Sequence, residues 1–400
     1  MMSESGHMQA IQPFEFATAP RIIFGDGRLS EVGRLAATFG RRVLIVTGRQ
    51  ALAAAGVIDH VRALLEASGC TSSVLSVPGE PTVSLVDAGV ATARMWQAEV
   101  LLAIGGGSTI DAAKAIAGLA TNAGEATMHD YLEGVGTGRT ILRPALPVIA
   151  APTTAGTGAE VTKNAVITDD AHMFKKSIRS DHLLPRVALV DPILTHTAPP
   201  AVTAASGLDA LTQLIESYTS NHASPITDAL AETGIQLAAR SLVRTWQDGS
   251  NADARRDMAL ASLLGGMCLA NAGLGAVHGM ASPLGAFYPA PHGAVCAALL
   301  PHVVAENIHR LRIEAPQGPA IAKYRHVAKI FGITDSNPFD RLVARLRELV
   351  ARMGIPGLGA WGLDRAGIPR VVAESRGSST RYNPVLLVDD EIADILEAAR

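Results

Sequence analysis

Aromatic residues and dense charge are both scarce in this 400-residue chain. Phe, Trp and Tyr make up 4% of the sequence, whereas hydrophobic residues make up 48%, so the core must consist of aliphatic side chains and alanine. The 34 Lys and Arg nearly balance the 37 Asp and Glu, for a formal net charge of −3. Because no segment is strongly basic, neither a nucleic acid nor an anionic membrane is an expected partner. A small molecule is the expected ligand.

Cysteines and long hydrophobic runs are also few. Cys70, Cys268 and Cys296 are odd in number and widely spaced, which predicts neither a disulfide framework nor a redox pair and favours a reducing cytosol. Apolar runs such as 144–152 are far shorter than the roughly 20 residues of a membrane helix. The start of the chain lacks the basic flank and apolar core of a signal peptide. We expect a soluble, cytoplasmic protein.

The first half of the chain alternates short apolar runs with helical patterns. The runs that predict buried strands are 42–47, 73–77, 99–104, 147–151 and 187–190. Nearly all-apolar strands between helices predict a parallel sheet covered on both faces, with 21–24 as an extra strand packed on it. From Pro199 onward the apolar spacing is helical. The sequence predicts an α/β domain at 1–192, a helical domain at 193–400, and a ligand site in the cleft between them.

Two polar loops follow strands of the predicted sheet. Gly105–Lys114 (GGGSTIDAAK) leads directly into a helix, whose exposed N–H groups and positive dipole end suit a phosphate. Ser108 is expected at the N-cap of that helix. Pro152–Glu160 (PTTAGTGAE) adds threonine hydroxyls after the next strand. Each loop alone also fits an ordinary turn, but ligands of α/β sheets bind where successive strands end.

The helical half contains a set of possible metal ligands. Asp209 and Gln213 are four residues apart, on one face of a helix that is expected to open at 207–212 (GLDALT). His278 lies in a glycine-rich segment, and His292 follows fourteen residues later. One carboxylate, one amide oxygen and two imidazoles could surround a divalent ion. Spacing alone favours hydrogen-bonded structural histidines over a metal site.

Taken in order, these motifs resemble the iron-containing, or group III, alcohol dehydrogenase family. GGGSTIDAAK, PTTAGTGAE, Asp191–Pro192, GLDALT and the two histidines carry the resemblance, from about residue 21 to at least 307. It implies the two-domain architecture shared with dehydroquinate synthase. It also implies a homodimer or higher oligomer, and an NAD(P)-dependent alcohol dehydrogenase or aldehyde reductase assisted by Fe²⁺ or Zn²⁺ in the interdomain cleft.

The resemblance further implies roles for individual residues. The implied cofactor contacts are Gly48, Gly105, Gly106, Gly107, Ser108, Asp111, Thr153, Thr154, Thr157, Val166 and Lys175, with Lys176 as the alternative to Lys175. Asp209, His278 and His292 match three metal ligands and would act in catalysis through the metal. Gln213 stands at the fourth ligand position, which is usually histidine, so weaker metal binding is expected.

Three further positions depart from the family pattern. Ser282 replaces a histidine near the reacting carbon, so Ser282, water or a ribose hydroxyl would relay the alcohol proton. Glu80 stands where asparagine is common. Gly48 and Arg49 replace an aspartate that favours NAD, and a guanidinium there permits NADP(H) as well. The alternative functions are a metal-independent oxo-acid reductase resembling maleylacetate reductases, and a lyase or cyclase on the same scaffold.

Overall fold

A computed structural model of the chain describes residues 13–377 and 379–400. The strands are β1 Ile22–Phe24, β2 Arg42–Gly48, β3 Thr71–Val77, β4 Val100–Gly105, β5 Val148–Pro152, β6 Asn164–Asp169, β7 Phe174–Arg179 and β8 Val187–Val190. Six of them form one sheet in the order β1-β8-β5-β4-β2-β3, and all of its pairings are parallel. The predicted parallel sheet is confirmed.

Both faces of this sheet are covered by helices. The helices of this half are α1 Val32–Ala37, α2 Ala51–Ala54, α3 Val57–Ala67, α4 Val83–Met95 and α5 Gly107–Asn122. In β2, Leu44 and Val46 pack in the core beneath α4 and α5, while Val43 and Ile45 pack in the core beneath α1 and α3. Burial on both faces explains why the strands are uninterrupted apolar runs.

Two predictions about the strands need correction. The segment predicted to pack on the sheet is β1, which is an edge strand within the sheet and pairs with β8. The sequence analysis also missed the antiparallel hairpin of β6 and β7. The residues of β7 (FKKSIR) are mostly half-buried and carry two lysines, so they lack the apolar run that marked the other strands.

The second half of the described chain is helical. Its α-helices are α6 Pro200–Thr219, α7 Pro225–Gln247, α8 Ala252–Ala272, α9 Ala276–Phe287, α10 His292–Glu314, α11 Pro319–Ile330, α12 Pro338–Arg352, α13 Ile368–Glu374 and α14 Asp389–Ala398. They share one aliphatic core. The last strand of the sheet ends at Val190, and the proposed domain boundary at residue 192 stays a prediction. No single helix among the described residues is long and apolar enough to cross a membrane, although α8 and α9 pass by length and composition when joined across a 99° bend.

Two helix starts differ from the prediction. The GLDALT segment does not open a helix but lies inside α6, which begins at Pro200 because proline is well suited to the first helical position. Helix α5 begins at Gly107 with Gly106 as its N-cap, so Ser108 is not the N-cap. Its hydroxyl is instead on the first turn, at the wall of a cleft.

Candidate active site

A cleft of about 410 Å³ lies between the sheet and the helical half. Its walls come from the start of α5, the β6–β7 hairpin, α6, α9 and α10. The predicted site residues that line it are Ser108, Asp111, Thr157, Val166, Lys175, Gln213, His278, Ser282 and His292. The fold therefore brings predicted cofactor and metal residues, far apart in sequence, to one cavity.

The glycine turn and the threonine loop pack directly on each other. The Thr153 N–H donates to the carbonyl of Gly105 at 2.9 Å. A Cβ on Gly107 would lie 2.7 Å from the Thr157 side chain, and a Cβ on Gly105 would lie 2.5 Å from Thr109 Oγ1. Such separations are too short for carbon contacts, so both glycines are required for this close approach.

Three other predicted cofactor residues lie at the same edge of the sheet. Gly106 faces the second loop, because a Cβ there would lie 3.5 Å from Thr154 Oγ1. Gly48 ends β2 and its Cβ would lie 3.9 Å from Thr109 Oγ1. Since β2, β4 and β5 are parallel neighbours, their carboxyl ends form one continuous rim, where α/β proteins bind nucleotides.

A buried lysine that the sequence analysis left without a role fixes this rim. Lys114 Nζ is 2.9 Å from Asp111 Oδ1 and donates to the Ala159 carbonyl at 3.0 Å and to Thr162 Oγ1 at 2.9 Å. The other Asp111 oxygen accepts the Val166 N–H at 3.0 Å. Asp111 thus ties α5 to the hairpin. A charged residue within an apolar helical segment was the available signal, because buried charges require partners.

Lys175 reaches across the mouth of the cleft. Its Nζ is 3.0 Å from Glu80 Oε2. Burial raises the pKa of Glu80, but the charge and hydrogen bond of Lys175 outweigh it and hold that pKa below its usual value. Lys176 also lines the cleft. An anionic ligand would therefore bind a lysine that is already held in position, and the ligand would compete with Glu80 for that lysine.

The predicted metal ligands converge at the inner end of the cleft. His278 Nε2 lies 3.3 Å and His292 Nε2 lies 3.9 Å from Asp209 Oδ1. Gln213 Nε2 donates to Asp209 Oδ2 at 3.2 Å. Cys296, which the sequence analysis did not select, completes the cluster with its Sγ 3.7 Å from His292 Nε2. Its spacing of four from His292 on α10 was the available signal.

Unpaired polar atoms show that this cluster suits a cation. Among the described residues, Asp209 Oδ1, Gln213 Oε1 and His278 Nε2 are buried without a hydrogen-bond partner. Each such group costs about 1–3 kcal/mol if nothing satisfies it. A divalent ion bound by carboxylate and imidazole would satisfy the first and the last at once. The residues present therefore fit a metal.

A second missed residue, Glu216, orients His278. Glu216 Oε2 lies 2.6 Å from His278 Nδ1, and Glu216 Oε1 accepts the Val277 N–H at 2.7 Å. A carboxylate on one ring nitrogen fixes the tautomer and turns the other nitrogen towards the metal. Glu216 lies seven residues after Asp209 on α6, and that helical spacing was the signal.

The charges of the cluster depend on one another. Burial raises the pKa of Asp209, but the nearby imidazoles outweigh it and hold that pKa below its usual value. Burial alone would lower the pKa of His278, yet the surrounding anionic groups keep it well above its usual value. Burial lowers the pKa of His292 to about 4 and raises that of the Cys296 thiol to about 12. His292 is thus a neutral imidazole, the form that binds metals.

Ser282 lies one turn after His278 on α9 and faces the cleft. Its hydroxyl donates to the backbone carbonyl of Lys175 at 3.2 Å. This bond ties α9 to the hairpin and leaves the lone pairs of the hydroxyl oxygen available to a ligand.

The chain is similar in sequence and fold to known proteins over nearly its whole length. Residues 19–192 match the family model described as iron-containing alcohol dehydrogenase, and residues 203–400 match its C-terminal counterpart. The chain is 38% identical over 387 residues to alcohol dehydrogenase 4 of Saccharomyces cerevisiae, covering 96% of this chain and 98% of the yeast protein. Its fold is similar to the crystal structure of a 1,3-propanediol oxidoreductase, with a TM-score of 0.88 and 34% identity, covering 97% of this chain and 100% of the other. It is also similar to the crystal structure of the sulfoacetaldehyde reductase of Bifidobacterium kashiwanohense in complex with NAD⁺. That match has a TM-score of 0.86 and 30% identity, and it covers 97% of this chain and 99% of the other.

Proposed function

We propose that this chain, which belongs to the iron-containing alcohol dehydrogenase family, catalyses hydride transfer between NAD(P) and an alcohol or aldehyde in the cleft. It is an oxidoreductase that acts on alcohol groups. The observation that carries the proposal is one cavity with the glycine-rich start of α5, which suits a phosphate, on one wall and an unsatisfied carboxylate–imidazole cluster on the other.

The cofactor would lie along the rim of the sheet. Gly105, Gly106 and Gly107 would let its pyrophosphate approach the first turn of α5, where backbone N–H groups and the Ser108 hydroxyl donate. The three threonines of the second loop, Thr153, Thr154 and Thr157, would run beside it towards the nicotinamide. Asp111 would contribute by holding Val166 at the cleft wall, since its carboxylate accepts the Val166 N–H. Lys175 would lie at the ribose.

Both NAD and NADP remain within the proposal. Gly48 carries no carboxylate that would repel a 2′-phosphate, and the next residue, Arg49, is exposed. A guanidinium there can pair with that phosphate. Comparing the KM for NADH with that for NADPH, in wild type and Arg49→Ala, measures its contribution. Loss of NADPH affinity alone is the expected result.

Asp209, His278 and His292 would hold the metal, with Gln213 as the fourth ligand predicted from the family pattern. When bound, Fe²⁺ or Zn²⁺ supplies a Lewis acid for the substrate oxygen. Glu216 keeps the His278 ring turned towards that site. Ser282, water or a ribose hydroxyl would relay the alcohol proton. To relay it, Ser282 would release to water its own hydroxyl proton, which is donated to the Lys175 carbonyl in the structure, as Oγ accepts the proton of the alcohol.

The cellular context is also part of the proposal. The three cysteines are free and buried, which supports a reducing, cytoplasmic compartment. We propose a homodimer or higher homo-oligomer, to be tested by light scattering of the purified protein.

The test of the function is an absorbance assay of NADH or NADPH oxidation with a panel of short aldehydes. Protein stripped with a chelator and then reloaded with Fe²⁺ or Zn²⁺ should regain turnover. His278→Ala should abolish it, whereas His302→Ala, on the same helix as His292 but outside the cluster, should not. No oxidation of either cofactor under any condition would refute the proposal. Turnover that is insensitive to chelators would favour the metal-independent reductase.

A further inference from the structure

The amide of Gln213 is turned away from the predicted metal position. Its Nε2 donates to Asp209 Oδ2, while its Oε1 lies 3.6 Å from the point where a Cβ on Gly265 would stand. The carbonyl oxygen, the only metal-binding atom of an amide side chain, therefore faces helix α8. In this arrangement Gln213 orients the carboxylate of Asp209 and leaves the fourth donor to another residue.

Cys296 is the residue whose position suits that donor. The ligand atoms of Asp209, His278, His292 and Cys296 all lie within 4.8 Å of one another. Three of the separations are 3.3, 3.9 and 3.7 Å. A tetrahedral site with metal–nitrogen or metal–oxygen bonds of about 2.1 Å and metal–sulfur bonds of about 2.3 Å has edges of roughly 3.4–3.6 Å. These three separations lie within about 0.5 Å of the ideal edges, and the other three, at most 4.8 Å, would shorten by up to about 1.4 Å around one ion.

The thiols of the other two cysteines lie near backbone carbonyl oxygens, as expected of structural cysteines. Cys70 Sγ lies 3.7 Å from the Gly40 carbonyl oxygen, and Cys268 Sγ lies 3.4 Å from that of Thr227. Cys296 differs, because its Sγ faces an imidazole nitrogen. The unpaired atoms Asp209 Oδ1 and His278 Nε2, both on residues more than nine-tenths buried, belong to the same cluster. They point independently to a ligand there.

We propose that Cys296 Sγ is the fourth protein donor of the metal site, and that its thiolate makes the site select Zn²⁺ over Fe²⁺. The inference rests on the proposed function for the existence of the metal site. A thiolate is a soft donor that favours zinc, and a cation deprotonates a thiol that coordinates it. Cys296 is fully buried behind His292, whose side chain is 33% exposed. Four protein donors complete a tetrahedral shell, so a substrate oxygen would have to enter from the cleft as a fifth ligand.

Cobalt(II) is the probe, because a thiolate ligand adds a near-ultraviolet sulfur-to-cobalt charge-transfer band to its visible absorption. The full-length protein, stripped of metal, is titrated with Co²⁺. We expect one Co²⁺ per chain with that band in wild type, the band lost in Cys296→Ser, and the band kept in the matched control Cys70→Ser. Gln213→Leu should keep both the band and the stoichiometry.

Competition with a chelator then measures metal affinity. Loss of an outer-shell partner alone costs about 10–100-fold in affinity, so Cys296→Ser should weaken Zn²⁺ binding at least tenfold. It should weaken Fe²⁺ binding less, which reduces the preference for zinc. Circular dichroism and melting of the metal-free proteins check that Cys296→Ser and Cys296→Ala fold like wild type, and the band is scored on whichever of the two does.

The outcomes separate the inference from the proposed function. Cobalt bound by wild type without a charge-transfer band would overturn the role of Cys296 and leave the proposed metal site intact. The same holds if Gln213→Leu loses cobalt while Cys296→Ser retains it. If wild type binds no cobalt at all, both the inference and the metal part of the proposed function are wrong.

Discussion

Glu160, at the end of the threonine loop, is predicted to make the stability of this protein depend on pH. The side chain lies in a short 3₁₀ turn and is 2% exposed. Burial raises its pKa from 4.5 to about 7, although a hydrogen bond from its own backbone and the charge of Lys114 partly oppose that rise. The folded protein therefore prefers a protonated Glu160, whereas the unfolded chain ionises near pH 4.5.

The size of the effect follows from linkage. Because the pKa of Glu160 is higher in the folded protein than in the unfolded chain, the contribution of Glu160 to the free energy of unfolding is fully present below pH 4.5. It is lost as the pH rises to about 7. A pKa raised from 4.5 to about 7 corresponds to a free-energy difference of about 3 kcal/mol. Glu160→Gln has nearly the same shape and no charge, so it should be more stable than wild type by up to about 3 kcal/mol above pH 7.

Thermal melting at pH 4.5, 6, 7 and 8.5 measures this difference. For a cooperative 400-residue unit, about 3 kcal/mol raises the melting midpoint by about 4 °C. The advantage of Glu160→Gln should grow between pH 4.5 and 7 and then stay constant. Glu125→Gln, which changes an exposed carboxylate, is the control and should show no such growth. A difference between Glu160→Gln and wild type that does not change with pH would refute the reasoning.

Three further predictions concern the cleft. Glu216→Gln removes the carboxylate that orients the metal-facing histidine and should weaken Zn²⁺ binding about 10–100-fold in chelator competition, and unchanged affinity would contradict the positioning role. Gly107→Ala would place a methyl group 2.7 Å from Thr157 and should raise the Kd for NAD(H), measured by fluorescence titration, about tenfold or more, since a loss of about 1.4 kcal/mol is tenfold. Combining Gly107→Ala with Thr157→Ala should recover part of the lost affinity. Lys175→Met should raise the KM for NAD(H) more than Lys176→Met, because Lys175 carries the ion pair across the cleft, and equal effects would contradict this choice.

The strands of the parallel sheet and the two polar loops that follow β4 and β5 were predictable because each is encoded locally. Buried parallel strands such as β4, Val100–Gly105, are uninterrupted apolar runs, and the glycines that follow β4 mark the point where the chain must turn closely into α5. The structure confirms the predicted parallel sheet and the helical second half of the chain. The start of α6 was missed because polar and small residues at 200–206 hide a helix whose apolar pattern becomes clear only later.

The remaining features depend on long-range contacts. The β6–β7 hairpin buries its residues mainly against α5 and α9, so its own sequence carries a weak pattern. The positions of Glu216 and Cys296 beside the cluster were identified only in the structure, where α6, α9 and α10 come together at His278. Apart from their helical spacing from Asp209 and His292, a lone glutamate and a lone cysteine have no local signature for metal chemistry. The assignments of individual cofactor and metal residues stay predictions.

The most direct test of hydride transfer in this cleft uses NADH deuterated at C4 of the nicotinamide. The metal-loaded protein is incubated with this cofactor and a short aldehyde, and the alcohol formed is analysed by mass spectrometry. Transfer from cofactor to carbonyl carbon predicts alcohol that carries one deuterium at C1, if the label is on the face of the ring that reacts, so both C4 epimers are used. Alcohol without deuterium from either epimer, or no alcohol at all, would contradict the account.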